Sequence, residues 1–171
     1  SGSEIMSCSK NEYDWLGHGS YFWENDPLRA WDYANLLKRE PRRGHSKVKD
    51  PFVLGAIIAP GRCLNLLEAQ SIRLLQAAHV LLKKSMDAVG RDMPTNVDTD
   101  GSGDRLVRRL DCAVIQMLHT ARSHDGQAPF QSVRGVFQEG PEVYPGAGFR
   151  QRNHIQVCVC DAKCLKGFFT L

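Results

Sequence analysis

Apolar and polar positions along the chain alternate with two different periods. Ala30, Tyr33, Ala34 and Leu37 recur at the three- and four-residue steps of one helical face. Leu28, Trp31 and Leu36 widen that apolar side. Asp26 is a favourable N-cap, Pro27 suits a first helical turn where its missing N–H costs nothing, and Pro41 cannot continue a helix. A helix over residues 27–38 follows. The uninterrupted run Phe52-Val53-Leu54-Gly55-Ala56-Ile57-Ile58-Ala59 is rich in β-branched residues and predicts a buried strand. A long helix is expected over 67–89, with Ile72, Leu75, Leu82 and Met86 on or near one face. A third is expected over 105–121, where Leu106, Leu110, Val114 and Leu118 make a four-residue stripe behind Asp104 as cap. Strand-like stretches lie at 21–23, 132–137, 154–160 and 167–169.

The segments between these elements are polar. Residues 38–51 hold six Lys or Arg, two acids, two prolines and a glycine, the composition of an exposed loop. It reads either as a solvated loop or as a phosphate-facing patch, and no aromatic residue interleaves with the charges as in single-strand nucleic-acid binders. The 90–103 region is rich in Asp and Gly and predicts a surface loop. Its Asp98-x-Asp100-Gly101 lacks the downstream ligands of an EF-hand.

At 171 residues the chain is expected to be a single domain, 1–171, with a core of its own. A net charge of +3 is too mild to argue nucleic-acid binding by itself. The six cysteines show neither a disulfide framework nor a zinc spacing, so no metal site is expected. Cys158 and Cys160 would point to the same side of a strand. Reduced thiols imply a reducing compartment, and a cytoplasmic location is the expectation. There is no apolar run near the length of a membrane span and no signal-peptide pattern, so no membrane association is expected.

The segment Gly17-His18-Gly19-Ser20-Tyr21-Phe22, a polar turn, and then Ala30-x-x-Tyr33 resembles the NAD-binding core of ADP-ribosyltransferases of the diphtheria-toxin and poly(ADP-ribose)-polymerase branch. His154-Ile155-Gln156-Val157-Cys158-Val159-Cys160-Asp161, followed by Cys164-Leu165-Lys166-Gly167-Phe168-Phe169, resembles that family's closing strand pair. The resemblance implies an α+β fold with split, antiparallel-rich β-sheets forming an NAD cleft, and three main helices. Residues 67–121 would be a helical, family-specific insertion. It implies that Tyr21 and Tyr33 sandwich the nicotinamide ring, with Phe22 beside them, and that backbone near Gly17 and Gly19 meets the nicotinamide amide. Gln156 stands where many members carry a glutamate that bonds the nicotinamide ribose. A glutamine keeps the hydrogen bonds without the charge. Glu139 and Glu142, in the preceding loop, are the candidate substitutes for polarising an acceptor. The His-Gly strand that usually precedes the glycine motif has no counterpart in residues 1–16, and a truncation ahead of the motif is the expectation.

These features lead to an expected NAD-dependent mono-ADP-ribosyltransferase, with Tyr21, Gln156 and Glu139 as catalytic candidates and NAD as co-substrate. Its partner would be a macromolecular acceptor, protein or nucleic acid. By analogy it would be an intracellular toxin or defence effector. The alternatives are a catalytically weak or inactive module of the same fold that binds NAD, ADP-ribose or nucleic acid, and a nucleic-acid-binding domain that uses the 38–49 loop without NAD.

Overall fold

The structure is a computed structural model and describes residues 8–40, 48–99 and 101–170. It is α+β. The strand β1 (Ser20–Trp23) leads through a tight turn into α1 (Pro27–Arg39). The Asp26 side chain accepts a hydrogen bond from the Arg29 backbone N–H at 2.9 Å, and Pro27 occupies the first turn, so both expected start signals act. Asn25, just before the cap, takes a positive φ of 52° to reverse the chain. Then come β2 (Leu54–Ile58), β3 (Cys63–Asn65) and α2 (Ala69–Ala88). A short hairpin of β4 (Asn96–Val97) and β5 (Val107–Arg108) precedes α3 (Arg109–His124), and β6 (Ser132–Phe137), β7 (His154–Val159) and β8 (Leu165–Thr170) complete the chain.

The main sheet has the order β1-β7-β6-β3, antiparallel except for the β6–β3 pair. A second, two-stranded sheet joins β2 to β8 antiparallel. Helices α2 and α3 lie against one face of the main sheet. Leu64, Val133 and Cys158 from the strands meet Ala78, Leu82, Val114, Ile115 and Leu118 from the helices in one core. Leu64, Val133 and Cys158 are completely enclosed. The 67–121 stretch therefore supplies half of the main core, whatever its origin.

Three expectations change. Helix α3 starts at Arg109 and not behind Asp104, because Val107–Arg108 pair with Asn96–Val97. The Asn96 side-chain oxygen takes over the capping, accepting from the backbone N–H of Leu110 at 2.9 Å and Asp111 at 3.3 Å. Asp104 instead accepts from the Gly140 backbone N–H at 2.8 Å. The apolar run at 52–59 forms a strand that is not buried: Phe52 is 75% and Ile57 59% exposed, since only β8 adjoins β2. On α2 the buried positions are Ser71, Ala78 and Leu82, and Ile72 faces outward. Small residues let this helix approach the sheet closely. The loop at 98–103 closes on itself, with the Asp98 carboxylate accepting from the Gly101 and Gly103 backbone N–H groups.

Candidate functional site

Between the two sheets and α1 lies a cleft of about 1140 Å³. That is somewhat above the usual range of ligand-pocket volumes, roughly 300–1,000 Å³. Its floor is the face of the main sheet that the long helices leave uncovered, with Phe22, Glu24, Asn65, Arg134 and Val157. Ala30, Tyr33, Ala34 and Leu37 of α1 form one wall, and Leu54, Ala56 and Ile58 of β2 with Phe169 of β8 form the other. The alanines of the α1 stripe are what keep that wall low.

Three carboxylates, Glu24, Asp26 and Glu68, line the cleft together with one described cation, Arg134. Arg134 reaches the Glu24 carboxylate through Nε and through Nη2, the latter at 2.8 Å, and its Nη1 meets the Asn65 side-chain oxygen at 3.2 Å. This fork holds the Glu24 carboxyl below its ordinary value, chiefly through the hydrogen bond from Arg134. Among the described lining residues, Arg134 is the only cation.

At the α1 end the cleft meets a buried polar cluster. The Trp23 ring lies 5.0 Å from Tyr33 on the cleft side and 6.5 Å from His154 on the other, centroid to centroid. His154 Nδ1 is 2.8 Å from the Arg152 carbonyl oxygen and so carries the proton. Its Nε2 then accepts from the Gln156 side-chain NH₂ at 3.1 Å. Burial holds the His154 imidazole below its ordinary pKa and so neutral.

Glu139 is 4% exposed, and its carboxylate accepts from Arg29 Nη2 at 2.8 Å. Two buried donors in this neighbourhood, Trp23 Nε1 and Arg29 Nε, find no acceptor among the described residues. Unpaired buried N–H groups are rare and cost about 1–3 kcal/mol each, so a ligand or water oxygen is their natural complement.

The site residues expected from sequence divide into two groups. Phe22 and Tyr33 line the cleft, and Gln156 stands across from Trp23 in the β1–β7 register. Tyr21 is turned the other way, into the helix-covered core. Its hydroxyl donates to the Gly17 carbonyl at 2.6 Å and accepts from the Leu16 N–H at 2.8 Å. Burial drives its phenol pKa far up, so it stays protonated. The aromatic residue packed on Tyr33 is thus Trp23, while Tyr21, which touches the cleft only at its margin, packs against the core. The glycines also serve packing. A Cβ at Gly17, whose φ is +79°, would stand 2.8 Å from Ile115 Cγ2 and from Gln116 Nε2, and one at Gly19 would stand 2.6 Å from the Val159 oxygen. Their close approach is to α3 and β7. Glu139 is an ion-paired, enclosed group and not the exposed loop carboxylate expected, while Glu142 is exposed and accepts from the Gly146 N–H.

Trp23, Arg29, Arg134 and His154 were not legible as site residues. The only signal was the spacing of Trp23 two positions after Tyr21, which puts both on one strand face. The basic loop at 38–49 falls largely outside the described residues. No group of three or more His, Cys, Asp or Glu side chains suited to a metal occurs among the described residues. All six cysteines are free thiols, and no helix among the described residues is long and apolar enough to cross a membrane. Compared with protein-family models, curated proteins and solved structures, the chain matches none.

Proposed function

We propose that the chain is an ADP-ribosyltransferase-like domain that binds NAD in the cleft between its sheets and transfers ADP-ribose to a macromolecular acceptor. One observation carries the reading. The two segments that resemble the family, 130 residues and more apart in sequence, are hydrogen-bonded neighbours, and Phe22 and Val157 from that strand pair lie side by side in the cleft floor.

In this reading the nicotinamide end lies against Trp23 and Tyr33, and the pyrophosphate passes Arg134. For Gln156 to offer its side-chain oxygen to a ribose hydroxyl, the ribose must reach past Trp23 to the His154 side of β7. When the glycosidic C–N bond breaks, nicotinamide leaves with the electron pair and the ribose becomes cationic. The Gln156 dipole and the exclusion of water stabilise that charge. An acceptor nucleophile then forms the new bond at the anomeric carbon. Glu139 acts as a positioning residue: it holds Arg29, and through α1 the wall that carries Tyr33.

A second reading is a binding module without turnover. It is favoured by the two groups that would supply negative charge: residue 156 is an uncharged amide, and the Glu139 carboxylate is neutralised by Arg29. The test is a thermal shift with NAD together with nicotinamide release, on the parent chain and on Trp23→Ala and Gln156→Ala. Transfer predicts stabilisation and release in the parent, loss of stabilisation in Trp23→Ala, and release reduced by roughly 10²-fold in Gln156→Ala. Stabilisation without release establishes the binding module. No stabilisation in the parent sinks both.

A further inference from the structure

A second cavity, of about 700 Å³, opens where the glycine turn, α3 and the end of β7 converge. His18, Arg62, Gln116, His119, Gln131 and Cys160 are among its walls. Its residues are not those of the NAD reading, and the inference does not rest on that reading.

Cys160 is fixed in this wall by its backbone, whose N–H donates to the Gln131 carbonyl at 2.9 Å. His119 is held by an edge-on contact with the buried Phe130 ring, at 6.1 Å and 90°. Cys160 is half-buried and lines the cavity, whereas Cys112, Cys158 and Cys164 are enclosed. Two imidazoles, His18 and His119, share that cavity with a single thiol. This is the arrangement that turns a thiol into a nucleophile.

We propose that this cavity is a covalent modification site, at which the Cys160 sulfur, assisted by the His119 imidazole, takes small soft electrophiles. The electrostatics agree. Cys160 is held well below the ordinary thiol range, first by the neighbouring Cys158 thiol and then by His119 and the charge of the two imidazoles, against burial. The Cys160 thiol itself meets the Cys158 carbonyl at 3.9 Å, and the Cys158 thiol donates to the Gly17 carbonyl at 3.6 Å. The same thiol pair and burial push Cys158 up, so it keeps its proton. Asp161 and Arg62, at the cavity rim, are the remaining charged groups that face the site. In the step itself the thiol proton rests on His119, the sulfur forms a bond to the electrophilic carbon, and the leaving group departs with the electron pair of the broken bond. Nothing is oxidised, and the imidazolium returns its proton to solvent.

The test is alkylation of the full chain with iodoacetamide at about pH 6, below the ordinary thiol pKa of ~8.5, with each cysteine followed by peptide mass mapping. Cys160 is expected to react at least about tenfold faster than the exposed Cys8 or the half-buried Cys63, a rate that corresponds to one pKa unit or more. His119→Asn is expected to slow Cys160 about tenfold and leave Cys8 unchanged. Labelling of Cys8 or Cys63 ahead of Cys160, or a Cys160 rate untouched by His119→Asn, overturns the proposal. Should the variant unfold, which labelling of the enclosed Cys112 reports, the pH profile of the parent decides. A Cys160 rate already level at neutral pH supports the site, and one that climbs toward ~8.5 overturns it.

Discussion

The two faces of the main sheet are filled in opposite ways. On one, Leu64, Val133 and Cys158 are sealed under α2 and α3. On the other, Phe22, Glu24, Asn65 and Arg134 look across an open cleft at a small sheet whose own strands remain half in water. Every strand serves both faces, so the alternation of side chains divides the labour within each strand. The closed face supplies the burial that stabilises the domain, each fully enclosed Leu or Val contributing roughly 1.5–3 kcal/mol. That leaves the open face free to keep polar groups that add little stability and are available to a ligand.

Substitutions can break this contrast. Leu64→Ala removes a completely enclosed side chain and is expected to cost about 3–5 kcal/mol in urea unfolding, whereas Leu54→Ala, at a 41%-exposed position of the small sheet, is expected to cost under ~1.5 kcal/mol. Equal losses would mean that the small sheet is part of the core. Next in size is Glu139→Gln, which leaves the Arg29 guanidinium, 14% exposed, without its counter-charge. A loss of about 2–4 kcal/mol is expected, and adding Arg29→Met should recover most of it.

A pH effect comes third. His154 is depressed from its free value of 6.5 by burial, so the unfolded chain binds its proton more readily than the folded one. Stability is then full above pH 6.5 and declines as the pH falls through it. His154→Phe should remove that decline, read as Tm against pH. Smallest is Glu24→Gln in the open cleft. Its carboxyl is depressed from 4.5 by Arg134, so its contribution is present above that value and fades as the pH falls below it. Because the pair is partly solvated, the loss at neutral pH should stay within about 1 kcal/mol, and the acid limb of the stability curve should become shallower.

Sequence reasoning fared according to how local the determining interaction was. The start of α1 was written in Asp26 and Pro27, and the β7 alternation of His154, Gln156 and Cys158 was plain, because cap and strand periodicity act within a few residues. The start of α3 was missed because its cap, Asn96, lies 14 residues before Leu110 and reaches it only through the hairpin. The run at 52–59 looks like an interior strand, yet hydrophobicity alone does not say which layers will cover it. Of the expected site residues, Phe22 and Tyr33 line the cleft, while Gln156 sits on the other face of β7 beside His154. Tyr21 and Trp23 share one face of β1, and the choice between them depends on Tyr21 being packed into the helix-covered core while Trp23 meets Tyr33. The burial of Glu139 depends on an arginine 110 residues away. Neither is a local property.

The pairing of β1 with β7 also sets a schedule for the molecule. Among the described residues, a strand at residues 20–23 finds its only ladder partner at 156–159, so its closure carries the loop entropy of nearly the whole intervening chain. Contacts of such separation form late and slow folding. On the ribosome the helical pair α2–α3 and the parallel β3–β6 contact can assemble first, while β1 and the start of α1 wait for β7 to emerge. The cleft is therefore the last part of the domain to take shape, and a chain cut short before residue 156 would carry most of its core residues but lack Val157 of the cleft floor and the β8 wall.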